Sequence, residues 1–163
     1  MNVSYQDRQK QMAADRAVEK VASGMVVGLG TGTTVRFALT RLAERIAAGQ
    51  LTDIWAIPSS LQTDTLARKL KIPLTSFDHH PVVDVTIDGA DEVDSSLNLI
   101  KGGGGALLRE KILAQASRTN LIIVDQSKMS DRLGTHWPLP VEVLPFALSV
   151  EKKYLSALGA KVR

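Results

Sequence analysis

The chain of 163 residues contains no cysteine. Disulfides, thiolate nucleophiles and cysteine-based zinc sites are therefore excluded. The absence also fits a cytoplasmic protein. Aromatic residues make up only 4% of the chain, so Trp55 and Trp137 read as core rather than as a stacking platform. The net charge is +3, but the Lys and Arg are scattered. There is no basic run and no basic–aromatic alternation, so nucleic acid is not an expected partner. The small positive excess suits an anionic small substrate. No apolar run approaches the length that crosses a bilayer, and the polar start MNVSYQDRQKQ lacks a signal core. No membrane partner is expected. His79 and His80 precede Pro81, and His136 stands beside Trp137. None of the three has a metal-ligand spacing, so all read as structural or surface.

What is present is ordinary in bulk: 44% hydrophobic and 23% charged residues, enough for one domain with a real core. The apolar pattern predicts helix over 5–22, ended by Ser23 and Gly24, then a strand over 25–29. A Gly/Thr turn at 28–34 opens a helix over 35–48. Further strands are expected at 54–57, 72–75, 82–87, 121–124 and 139–144, and helices at 61–70, 106–116 and 146–158. Strand, turn and helix alternate as in βαβ units, which predicts an α/β fold with a mostly parallel sheet. The polar motifs GTGTT, PSS, DGADEVD and DQSK all follow predicted strands. In open α/β sheets ligands bind at that edge.

Residues 88–111 hold five carboxylates, two Lys, an Arg and four consecutive glycines. Glycines lose much backbone entropy on folding and add no packing, so such a run marks close approach of backbone to a ligand. The turn at 28–34 offers free N–H groups and three Thr hydroxyls for a phosphate. Its spacing is neither the dinucleotide pattern nor a P-loop, and a plain βα turn with a Thr cap fits equally. Asp88 and Asp91 stand three residues apart around a tight turn, which suits proton handling, an Asx-turn or a magnesium site alike. Lys101 and the glycines can stabilise an oxyanion, and Glu110 can act as a base if burial raises its pKa. A surface helix with Arg109, Glu110 and Lys111 all solvated is the plainer alternative.

Together and in order, these motifs resemble the ribose-5-phosphate isomerase A family. GLGTGTT at 28–34 is similar to its phosphate turn, DGADE at 88–92 to its acidic loop, and KGGGGALLREK at 101–111 to its signature, with Gly105 where Ala is expected. Ser127-Lys128 and PLPVEV at 138–143 also resemble it. The likeness covers essentially the whole chain.

The resemblance implies a Rossmann-like α/β fold with helices on both faces of a mostly parallel sheet. It implies interconversion of D-ribose 5-phosphate and D-ribulose 5-phosphate through a cis-enediolate, with no metal or other cofactor. Glu110 would be the base, Asp88 and Asp91 would move hydroxyl protons and open the ring, and Lys101 with Gly102, Gly103 and Gly104 would steady the oxyanion. Thr31, Gly32, Thr33, Thr34, Gly89, Ala90 and Lys128 would bind the sugar phosphate. Residues 1–138 are expected to be the catalytic domain and 139–163 the incomplete start of a small α/β subdomain, which leaves apolar surface uncovered. The expected assembly is a homodimer or homo-oligomer. Two other readings stand beside the isomerase: a sugar-phosphate sensor domain without catalysis, and an inactive isomerase fragment. A sensor would have no need of Glu110, and the helix-turn-helix that such sensors usually carry is not evident.

Overall fold

A computed structural model describes residues 4–163; the first three residues of the polar N-terminus lie outside it. Helix α1 (Tyr5–Val18) is capped by Ser4, whose hydroxyl accepts from the Asp7 N–H. The sheet then builds in α/β alternation. Strand β1 (Val26–Leu29) leads to α2 (Thr33–Ala47), and β2 (Trp55–Pro58) to α3 (Leu61–Lys69). Strand β3 (Val83–Asp88) is followed by a two-stranded antiparallel excursion, β4 (Glu92–Val93) and β5 (Leu99–Ile100). Helix α4 (Leu107–Gln115), strand β6 (Ser117–Ile122) and helix α5 (Leu148–Ala157) complete the order.

The four main strands are all parallel, in the order β2-β1-β3-β6. Val27, Leu29, Val85 and Ile87 point to one face and pack on Ala14, Val18, Val35, Leu39 and Leu42 of α1 and α2. On the α4 face, Val26, Ile57 and Val83 meet Leu113. The expected layering, helices on both faces of a parallel sheet, is what the chain forms. Period-2 side-chain alternation divides β1 in this way, Val26 to one face and Val27 and Leu29 to the other. Val83 at the start of β3 joins the α4 cluster although it shares the parity of Val85 and Ile87.

Several boundaries differ from the sequence reading. Helix α1 ends at Val18, not 22, because the chain tightens into i→i+3 turns (Lys20 N to Ala17 O, Val21 N to Val18 O). Val21 still reaches the core, which prolonged the apolar period. The strand expected at 121–124 starts earlier, at Ser117, and that at 72–75 is reduced to one bridge between Ala56 and Leu74. Residues 139–144 form no strand. Pro138 and Pro140 bring no N–H, and no described strand lies alongside to pair. A short 3₁₀ turn at Pro145–Ala147 precedes α5. None of residues 139–163 is buried, and Phe146 is fully exposed. Trp55 and Trp137 are not core either, at 43% and 38% exposed. Trp55 stacks on His80 instead. No described helix is long and apolar enough to cross a membrane.

Candidate active site

At the C-terminal edge of the sheet lies a cleft of about 200 Å³. Its floor is built from the end of β3. Asp88 is the last residue of that strand and is only 2% exposed. Its Oδ1 accepts from the N–H groups of Thr31 (3.2 Å) and Gly89 (2.8 Å). Its Oδ2 accepts from Lys101 Nζ at 2.9 Å. The same ammonium lies 3.1 Å from Glu110 Oε2 and donates to the Gly89 carbonyl at 2.5 Å. One cation thus bridges two buried carboxylates, the arrangement that lets both remain in an interior.

Glu110 sits in the first turn of α4, 6% exposed, while Arg109 and Lys111 on either side are exposed. The R-E-K triplet therefore splits, and only its middle residue turns inward. Burial raises the Glu110 pKa above the ordinary carboxylate value, and the nearby Asp88 charge adds to this. Lys101 pulls the other way without cancelling it. A carboxylate moved toward neutrality is suited to taking and returning a proton.

The opposite end of the cleft is the start of α2. Gly32 is its N-cap and supplies no capping side chain, so first-turn N–H groups at Thr33 to Val35 are left for an anion. Thr31 is held by a hydroxyl cluster: its Oγ1 lies 2.8 Å from Ser59 Oγ, 2.9 Å from Ser60 Oγ and 3.3 Å from Thr63 Oγ1. Ser60 also caps α3, accepting from the Thr63 N–H. Lys128 enters from the turn after β6. Asp125 caps that turn through the Ser127 N–H and is tied to α1 by Gln6. Burial would raise the Asp125 pKa, but the hydrogen bonds from Ser127 and Gln6 outweigh it and hold it below the ordinary value.

The remaining wall is the glycine run. Gly103 donates its N–H to Asp91 Oδ2 at 2.7 Å, so this amide is engaged by the acidic loop rather than open to the cleft. The other side of Gly103 is covered by the Trp137 ring.

Twelve residues singled out in the sequence line this one cleft: Thr31, Gly32, Thr33, Thr34, Gly89, Ala90, Asp91, Lys101, Gly102, Gly104, Glu110 and Lys128. Asp88 lies buried directly behind Lys101, and Gly103 faces Asp91 and Trp137. The sequence reading missed the supporting residues. Thr63 carries no motif of its own, though the PSS signal stood just before it, and Asp125 opens the DQSK strand-end motif but was given no role. Glu92 passed as one more charge of an acidic loop. No three His, Cys, Asp or Glu among the described residues gather as a metal set.

Residues 55–163 match the family model described as ribose 5-phosphate isomerase A (phosphoriboisomerase A). The chain is 60% identical over 160 residues to the ribose-5-phosphate isomerase A of Desulfatibacillum aliphaticivorans, covering 98% of this chain and 70% of that one. It is 52% identical over 163 residues to the Chloroflexus aurantiacus protein of the same name, covering 100% and 68%. A solved D-ribose-5-phosphate isomerase in complex with phospho-erythronic acid superposes with a TM-score of 0.92 at 41% identity, over 99% of this chain and 69% of that one.

Proposed function

The chain belongs to the ribose-5-phosphate isomerase A family, and on that premise we propose that it interconverts D-ribose 5-phosphate and D-ribulose 5-phosphate with Glu110 as the base. The observation that carries the assignment of roles is the shared ammonium: Lys101 Nζ lies 2.9 Å from Asp88 and 3.1 Å from Glu110 on the floor of a cleft that can hold a phosphate at its far end.

The phosphate sits at the uncapped start of α2, beside Thr31 to Thr34 and Lys128. That fixes the sugar so that its reacting carbons lie over Glu110. Ring opening moves the anomeric hydroxyl proton to the ring oxygen, with Asp88 and Asp91 as the available carriers. Glu110 then removes the C2 proton from the open-chain aldose. The C2–H electrons form the C1–C2 double bond, and the carbonyl electrons move onto O1. Lys101 faces that oxyanion, with Gly102 and Gly104 of the glycine run beside it. The O2 hydroxyl proton is carried to O1, and Glu110 returns its proton to C1, giving the 2-ketose. A raised pKa on Glu110 helps it keep the proton between the two carbon centres. Residues 1–138 form the catalytic domain in this reading. Residues 139–163 belong to a second small α/β subdomain, which accords with their contributing no buried residue. The assembly proposed is a homodimer or homo-oligomer.

The test is ribulose 5-phosphate formation from ribose 5-phosphate, with and without EDTA, for the parent and Glu110→Gln. The parent should turn over regardless of EDTA, and the variant should lose on the order of 10²–10⁴-fold in kcat. Sugar-phosphate binding with no turnover by the parent would favour a sensor domain instead.

A further inference from the structure

Glu92 lies next to Asp91 in the chain but points away from the cleft, and it is 0% exposed. Its two oxygens accept from four consecutive backbone N–H groups: Gly134 at 2.9 Å and Trp137 at 3.3 Å on Oε2, Thr135 at 3.1 Å and His136 at 3.2 Å on Oε1. A buried carboxylate is expensive, and it is normally retained where it fixes something that packing does not. Packing does not fix this segment: none of residues 131–138 is buried, and they form no helix or strand. What the clamp does fix is Trp137. Its ring lies so close over Gly103 that an added Cβ there would come within 2.7 Å of Cζ2 and Nε1. Lys128 Nζ stands 5.5 Å from the centre of the same ring. On its other side Gly103 is bonded to Asp91. Two neighbouring carboxylates therefore grip the glycine wall from both sides, Asp91 directly and Glu92 through the tryptophan.

We propose that Glu92 is a positioning residue of the site, seating Trp137 on Gly103 and so setting where the Asp91 carboxylate and the glycine wall stand relative to Lys101 and Glu110. The inference rests on the isomerase reading. It follows that a wall of four glycines, which has no side chains to stiffen it, borrows rigidity from a loop held by one carboxylate.

The experiment compares the parent with Glu92→Gln, Trp137→Ala, Trp137→Phe and Glu110→Gln. It measures kcat, KM and the stoichiometry of phospho-erythronic acid binding. Glu92→Gln keeps the shape but turns an amide N–H toward backbone donors, so the loop is released. A misplacement of about 1 Å can cost on the order of 10²-fold, so Glu92→Gln and Trp137→Ala should each lower kcat about tenfold or more. Binding stoichiometry should be unchanged, KM should move less than kcat, and Trp137→Phe should recover most of the loss. A role in folding alone would lower stoichiometry and rate together. Parental kcat per bound ligand in both Glu92→Gln and Trp137→Ala overturns the proposal while leaving the isomerase reading intact. If Glu92→Gln does not fold, the two Trp137 variants decide. An inactive parent, or full turnover by Glu110→Gln, instead strikes the isomerase reading. The clamp is then read from Trp137 emission in a Trp55→Phe background. A red shift on Glu92→Gln supports it, and an unchanged spectrum overturns it.

Discussion

Gly30 and Asp88 are packed backbone against carboxylate. A Cβ on Gly30 would lie 2.0 Å from Asp88 Oδ1, 2.4 Å from its Cγ and 2.7 Å from its Cα. Only glycine leaves room for the β3 carboxylate to reach the Thr31 N–H and Lys101 at once. The glycine of the first turn and the aspartate of the acidic loop are thus one device, although 58 residues separate them.

Gly30→Ala is expected to displace Asp88. Overpacking of this kind typically costs about 1–3 kcal/mol. Urea unfolding should show that loss, and kcat should fall with it because the Lys101 pair is disturbed. A variant that is destabilised but turns over at the parental rate would mean that Asp88 does not need this seat.

Removing the shared cation should act on Glu110 through its charge. Lys101 holds the Glu110 pKa lower than burial and Asp88 would leave it. Lys101→Met should therefore shift the acidic limb of the kcat profile to higher pH. It should also cost on the order of 10²–10³ in kcat from lost oxyanion stabilisation. Loss of rate with an unmoved limb would uncouple the two residues.

The raised Glu110 pKa also makes a stability prediction. A group whose folded pKa lies above its unfolded value favours the fold when protonated. The favourable contribution is complete below the ordinary value of 4.5 and is lost as pH rises through the folded pKa. The ionised base is then a strain on the fold at neutral pH. Glu110→Gln, which never ionises, should melt higher than the parent at neutral pH, and the gap should close in acid. Equal melting temperatures at neutral pH would contradict it.

Glu92 runs in the opposite direction. Burial would raise its pKa, but Ser130 and the backbone N–H groups of His136, Gly134 and Trp137 outweigh that and hold it at about 2. Its stabilisation is present above the ordinary value of 4.5 and drains away as pH falls toward 2. Acid unfolding followed by Trp137 emission should show a transition in that window, and Glu92→Gln should abolish it. A transition that persists in the variant belongs to another group.

The lining of the cleft was legible from sequence because it is written in contiguous motifs. Asp88, Asp91, Lys101 and Glu110 fall within 23 positions of one another. Whether Glu110 was a base or a solvated helix charge could not be read from R-E-K itself. What the structure adds is that the face of α4 carrying Glu110 is the one that meets Lys101, so this carboxylate is buried rather than solvated. The strands were found where the run is apolar, as in β1, β2 and β3, and misplaced at β6, whose start is polar. Strand β6 begins with Ser117, Arg118, Thr119 and Asn120, a polar stretch whose backbone pairs with β3 and whose Ser117 and Arg118 side chains reach Thr86 and Asp84 of that strand. Conversely, alternating Val141 and Val143 suggested a strand at 139–144, but apolar alternation without a neighbouring strand makes no ladder. The Glu92 clamp left no sequence signal, because its four partners are backbone N–H groups in the loop at 134–137, which any residue but proline can supply.

Asp88 is registered against Ile122 in the sheet, and its carbonyl accepts the Ile123 N–H at 2.8 Å. It cannot shift without breaking the ladder, so the floor of the cleft is as stiff as the sheet. The glycine run has no such ladder: it is held by the Asp91 bond, the Trp137 ring, its own Gly105 N–H to Gly102 carbonyl turn and the approach of Gly102 to Leu107. The site is therefore unevenly braced: the carboxylate and ammonium rest on a strand that the whole sheet holds in place, whereas the glycine wall depends on a handful of local contacts.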